Sequence, residues 1–170
     1  MSLKLERVER GDGRALEPLS ELLIDSVGRG ASVGFMAPMP IEEARAYWRG
    51  VLARLGPAQR LWLLFEDGLL QGTAQLALCE KPNGRHRAEV QKLLVHSRAR
   101  GRGHASVLLK ALEQAAQAEG LSLLVLDTET GSKAEQVYRH LGWQHAGEIP
   151  HYALTPMGQP HPTSLYYKLI

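Results

Sequence analysis

Residues 89–112 constrain the fold more than any other stretch of this chain. Glu89-Val90-Gln91-Lys92-Leu93-Leu94-Val95 reads as an apolar strand, and the basic, glycine-containing segment up to Gly103 reads as a turn. An amphipathic helix follows, with Ala105, Leu108, Leu109, Leu112 and Ala116 recurring on one face. A glycine without Cβ lets main chain approach a ligand closely. The first N–H groups of a helix have no partner inside it and lie at the positive end of its dipole. Gly101 and Gly103, the helix start and Arg98, Arg100 and Arg102 therefore converge where a phosphate fits. An ordinary strand–helix turn with a solvated basic surface is the alternative, and two glycines alone do not exclude it. The stretch lacks the Gly-Lys-Ser/Thr ending of a nucleoside-triphosphate loop and the full Gly-x-Gly-x-x-Gly of a dinucleotide site.

The rest of the chain supplies a mixed sheet around this unit. Leu3, Leu5 and Val8 predict a first strand; Leu16, Leu19, Leu23 and Val27 have helical spacing, with Asp12 as a cap. Pro18 must lie in the first turn of that helix or kink it. A second helix starts at Pro40 and buries Ala44, Trp48, Val51 and Leu52. Leu61–Phe65 is a continuous apolar run, as in a strand covered on both faces. Asp67-Gly68 predicts a tight hairpin into the alternating strand 70–78, and Pro82-Asn83-Gly84 turns the chain into residue 89. After the central helix, Leu121–Asp127 predicts a buried strand parallel to 89–95. Ser132 and Glu135 form a capping box for a short helix carrying Ala134, Val137, Tyr138 and Leu141, which Gly142 ends. Residues 143–149 and 164–169 predict two closing strands around a proline-broken excursion, 151–162. The expected fold is one α/β unit over residues 1–170, a mixed sheet of about seven strands with four helices.

Composition narrows the function. A net charge of +2 is too small to argue for nucleic acid as a partner. No apolar run approaches the ~20 residues of a membrane span, and the charged N-terminal decapeptide is unlike a signal-peptide core. Cys79 is the single cysteine, read as a core residue, so a reducing, cytoplasmic setting is expected. The seven histidines show no metal-ligand spacing, and His96, His104 and His140 are expected to face solvent or to be satisfied locally. The segment 28–40 is glycine-punctuated yet carries Val33, Phe35, Met36 and Met39. Such a loop is either packed down or lines a cleft.

Arg100, Gly103 and Ala105 fill the three defined places of a Gln/Arg-x-x-Gly-x-Gly/Ala pattern. That pattern, the element order and Ala134-x-x-x-Tyr138-x-x-x-Gly142-Trp143 resemble the GNAT superfamily of acetyl-coenzyme A-dependent N-acetyltransferases. The resemblance spans essentially the whole chain. It implies that acetyl-CoA lies in a gap between the splayed strands of Leu93–Val95 and Leu123–Leu126. The cofactor contacts so implied are Leu93, Leu94, Val95, Arg100, Gly101, Arg102, Gly103, His104, Ala105, Ser132 and Tyr138. Ser132 enters because Gly131 stands where Asn is common in the family. Narrower matches, among them Gly30–Ala37, Lys81–Gly84, Arg87–Leu93, Leu126–Glu129 and His161–Thr163, resemble the tabtoxin-resistance branch, which acetylates the toxin tabtoxinine-β-lactam.

Spacing alone favours Glu89 as an edge residue paired with Arg87 or Lys92, whereas the resemblance makes it a catalytic base with a pKa raised by desolvation. Asp127 either caps the turn 128–131 or, by the resemblance, acts as a second base or ammonium anchor. Tyr138 shares a core face with Ala134 and Leu141; the resemblance makes it the acid for the departing sulfur. Phe35, Met36 and Tyr152 are expected to wall the acceptor site. The expected partner is a small-molecule amine, with no nucleic acid, no membrane and no metal, and with a homodimer left open. A non-catalytic acyl-CoA sensor and a protein-lysine acetyltransferase are the competing functions.

Overall fold

A computed structural model describes all of residues 1–170. Seven strands form one sheet in the order β1-β2-β3-β4-β5-β7-β6. Strand β1 is Leu3–Arg7, β2 Gln59–Glu66, β3 Leu69–Leu78, β4 Arg87–Val95, β5 Leu123–Glu129, β6 Gln144–Leu154 and β7 Pro160–Leu169. Helices α1 (Leu16–Gly28), α2 (Ile41–Arg54), α3 (His104–Ala118) and α4 (Lys133–His140) complete the expected fold.

Side-chain alternation divides the core into two layers. On the α1–α2 side, Leu19, Leu22, Leu23, Trp48 and Val51 pack on Leu61 and Leu63 of β2. On the other side, Leu108, Leu109 and Leu112 of α3 pack on Trp62 and Leu64 of the same strand. The continuous apolar run of β2 is therefore buried on both faces. Asp67 (φ 49°) and Gly68 (φ 80°) both take left-handed conformations, as a two-residue hairpin of the twist-matched kind requires. Pro18 falls in the first turn of α1, where its missing amide costs nothing.

Three expectations are corrected. The predicted excursion 151–162 is mostly strand: β6 and β7 continue to a tip at Thr155–Gln159, and His151 (φ 53°) sits where their register shifts. Glu135 reaches back one residue further than a capping box requires, accepting from the Gly131 amide at 2.6 Å and from the Tyr166 hydroxyl at 2.7 Å. Cys79 lies just beyond β3 and is only half-buried, its amide donating to the Arg87 carbonyl.

Candidate active site

The turn from β4 into α3 leaves a run of open donors. Gly101 (φ 76°) and Gly103 (φ 80°, ψ 8°) are both left-handed, a conformation that side-chain-bearing residues adopt at a cost. None of the amides from Arg100 to Ser106 donates to a main-chain carbonyl; the first such bond is from Val107 N–H to the Gly103 carbonyl at 3.1 Å. No protein atom lies within 4 Å of a Cβ built on either glycine, so the outer side of the turn is open. These are the donors and the space a diphosphate needs.

The basic side chains around it do not all converge as expected. Arg98 turns back beneath the loop, donating to Gln71 Oε1 and the Leu70 carbonyl, each at 2.9 Å. Arg102 donates to Glu66 Oε2 at 2.6 Å yet stays half exposed. Arg100 donates to the Val95 carbonyl at 3.2 Å and makes no other side-chain hydrogen bond. His104 is neither solvent-facing nor satisfied: its ring is 2% exposed, without a hydrogen bond, and 3.7 Å from Glu66 Oε2. Only its main-chain amide can reach a ligand.

Beside the turn, β4 and β5 part. They pair in parallel only from Arg87/Leu123 to Glu89/Val125. Beyond Glu89 the β5-facing edge of β4 has no strand partner, which leaves main-chain groups along Leu93–Val95 open to a ligand. On the other edge, Gln75 pairs with Gln91 but Thr73 pairs with Leu94, so β4 carries one extra residue against β3. Lys92, inside that bulge, has φ 48°. A lysine held there costs about 1–3 kcal/mol, a kind of strain that gathers at functional sites.

Strand parity then fixes which side chains share the cleft. Glu89 stands beside Val125, and Asp127 is two residues further along β5, so both carboxylates lie on the sheet face opposite Ala88, Val90, Leu124 and Leu126. Neither Arg87 nor Lys92 comes within ion-pairing distance of Glu89, so the bland role read from spacing is not formed. Asp127 is exposed at the end of its buried run and makes no capping bond to the turn after β5.

Tyr138 comes from below, on α4. It is 5% exposed, with ring centroids 6.0 Å from Trp143 and 5.8 Å from Tyr166. Burial, and secondarily the Asp127 charge, hold its hydroxyl well above the ordinary tyrosine pKa. Ser132 Oγ lies 3.3 Å from Thr128 Oγ1 at the start of α4.

The loop 29–40 is packed down on the α1–α2 layer. Phe35 sits edge-on to Tyr47 of α2 at 5.2 Å, while Met36 remains 45% exposed. The Ala37 amide donates to the Pro156 carbonyl at 2.9 Å, so this loop meets the tip of the β6–β7 hairpin. Tyr152 stands 54% exposed in the bulged part of β6 and joins no aromatic contact with Phe35 or Tyr47.

Lys92 and Tyr47 are the residues of this face that sequence reasoning missed. Lys92 Nζ lies 5.6 Å from the Tyr47 ring centroid. Burial lowers the Lys92 pKa, against the opposing influence of Asp127 and Glu89. A signal existed: Lys92 is in phase with the core residues Ala88 and Val90, and a charge in that phase implies a break in the strand.

Known proteins share this fold. Residues 27–143 match the Acetyltransferase (GNAT) family. An uncharacterised N-acetyltransferase from the hisH-hisA intergenic region of Azospirillum brasilense is 32% identical over 126 residues, 73% of this chain and 72% of that protein. An N-acetyltransferase from Staphylococcus aureus Mu50 superposes with a TM-score of 0.82 at 19% identity, covering 99% of each chain. A GNAT superfamily phosphinothricin acetyltransferase from Sinorhizobium meliloti, in complex with AcCoA, gives 0.80 at 17% identity, covering all of this chain and 89% of that one. With the open turn before α3, the parted strands and the family match in agreement, the chain belongs to the GNAT family and is an N-acetyltransferase.

Proposed function

We propose that this enzyme uses acetyl-CoA to acetylate the amine of an amino-acid-like small molecule by direct transfer, with tabtoxinine-β-lactam as the type of acceptor. The observation that carries the proposal is the meeting, at one opening, of unpaired β4 main chain, open amides at the start of α3 and two carboxylates free of ion pairs. The amides from Arg100 to Ser106, helped by Arg100, would hold the diphosphate, and Leu93–Val95 the pantetheine arm. Bound there, acetyl-CoA supplies an activated acetyl thioester.

The chain's own groups do the rest. Glu89, half-buried on the cleft face, takes a proton from the acceptor nitrogen so that the neutral amine attacks the thioester carbonyl and the CoA thiolate leaves, with Asp127 as second acceptor or anchor. Main-chain amides beyond Glu89 face the carbonyl oxygen as charge develops, each such donor being worth about 3–4 kcal/mol of barrier. Tyr138 Oη keeps its proton at any working pH and offers it to the departing sulfur. The contact between the 29–40 loop and the hairpin tip favours a small acceptor over a protein chain.

Glu89→Gln tests the central role. Turnover, followed as free thiol released with the best acceptor of an amine panel, should fall about 10²–10⁴-fold while acetyl-CoA affinity holds. Unchanged turnover across the pH range removes Glu89 from the mechanism. Absence of thiol release with every amine favours a sensor.

A further inference from the structure

The β4 bulge delivers a cation to the acceptor side of the cleft, and nothing in the catalytic scheme above uses it. Ala88 and Val90 face the α3 layer. Regular alternation would send Lys92 after them, into a core of leucines. The extra residue reverses this: Leu93 packs against the α3 layer, and the Lys92 ammonium lies over the Tyr47 ring on the α1–α2 side.

The ammonium has a built seat there. Tyr47 is held edge-on by Phe35 at 5.2 Å and by Trp48 at 4.9 Å, and its hydroxyl accepts from Gln75 Nε2 at 3.0 Å. Gly34 (φ 98°) passes overhead; a Cβ placed on it would lie 3.9 Å from Lys92 Nζ. Yet no carboxylate lies within 4.0 Å of Lys92, and no side-chain acceptor hydrogen-bonds it. Glu89 and Asp127 share its face and are likewise unpaired. A half-buried ammonium with only a ring for company is under-solvated and lacks an anion.

We propose that Lys92 determines acceptor specificity: its ammonium receives the carboxylate of an amino-acid acceptor whose amine faces Glu89 and Asp127. This rests on the acetyl-transfer reading above and adds the group that reads the acceptor. One cation beside two carboxylates complements a zwitterion, whereas a plain amine would leave Lys92 unmatched and meet a like charge.

The test compares matched acceptors: the best free α-amino acid of the panel, its carboxamide and its decarboxylated amine. Lys92→Met keeps the stem and the left-handed L-residue but removes the charge, and Lys92→Gln is a polar second variant. In wild type the amino acid should exceed its carboxamide in kcat/KM by about 10- to 100-fold, the span of one charged hydrogen bond. Either variant should abolish that ratio by losing the amino acid alone, with carboxamide turnover and acetyl-CoA affinity retained. Binding of the N-acetyl amino acid and its carboxamide to the CoA-loaded protein, by calorimetry, gives the same ratio without chemistry. If wild type releases no thiol with any amine yet binds the carboxylate through Lys92, acetyl transfer fails and the carboxylate assignment stands. A carboxylate-to-carboxamide ratio equal in wild type and both variants overturns it.

Discussion

Removal of one oxygen from Tyr138 separates its two roles, because the ring belongs to the core and the hydroxyl does not. The ring is packed between Trp143 and Tyr166 in the α3 layer. The hydroxyl takes part in no side-chain hydrogen bond, the adjacent Tyr166 having claimed Glu135 at 2.7 Å. Tyr138→Phe therefore removes no partnered group and leaves no cavity, and unfolding in denaturant should shift by no more than about 0.5 kcal/mol. Tyr138→Ala, which empties the same space, should cost about 3–5 kcal/mol. On activity the ranking of the phenylalanine variant reverses. Loss of a general acid costs about 10²–10⁴ in rate, or about 2.7–5.4 kcal/mol of barrier. The sign of the pH effect follows from burial, which favours the neutral phenol. Wild type should therefore show no fall in kcat up to pH about 10, where an ordinary tyrosine is half ionised. Thiol-release kinetics at saturating donor, with chemical denaturation of the same samples, read both quantities. Wild-type kcat in Tyr138→Phe, or a stability loss above about 1.5 kcal/mol, would refute the separation.

Gly103→Ala meets no steric obstacle but must hold φ 80°. It should cost about 1–2 kcal/mol of stability if the turn keeps its shape, or weaken acetyl-CoA binding by about tenfold if the turn relaxes and its amides swing away; denaturation and calorimetry distinguish the two. Acid should destabilise the fold through Asp25 and Glu135. Burial pushes the Asp25 carboxyl up, but the Ser97 hydroxyl at 2.7 Å and amide at 2.8 Å outweigh it and leave its pKa below the ordinary range. For Glu135, burial is likewise outweighed by the Tyr166 hydroxyl and the Gly131 amide. A carboxyl depressed in the folded state contributes stability that is present above its unfolded pKa of about 4 and lost as pH falls through the folded value. Asp25→Asn with Glu135→Gln should flatten the melting-temperature profile below pH 4, and an unchanged profile would remove both from the acid response.

The fold was legible because its signals were local and mutually consistent. The doubly buried run of β2, the Asp67-Gly68 hairpin and the apolar face of α3 each carried one period or one turn type, and each formed. The parallel β4–β5 pair followed from strand–helix–strand order alone. The open, left-handed turn was legible in its glycines, Gly101 and Gly103. It was least legible where side chains are re-aimed by tertiary pairing. Arg98 reads as a phosphate ligand but is captured by Gln71 across the strand, and His104 reads as a surface residue but is buried beside Glu66. The length of β6 was hidden because Pro156, Pro160 and Pro162 look like breakers, although a hairpin tip and strand start tolerate them. The charge of Lys92 in the core phase signals a break in the strand, but where the bulge falls and which face it gives Lys92 depend on the register of two strands.

In the proposed reaction, main-chain donors before α3 grip the diphosphate of acetyl-CoA. Amide chemical shifts of isotopically labelled protein, titrated with acetyl-CoA, test this most directly. Saturable shifts centred on Arg100–Ser106, with a second group at Leu93–Val95, are the expected result. Shifts confined to other parts of the fold, or none at millimolar acetyl-CoA, would contradict it.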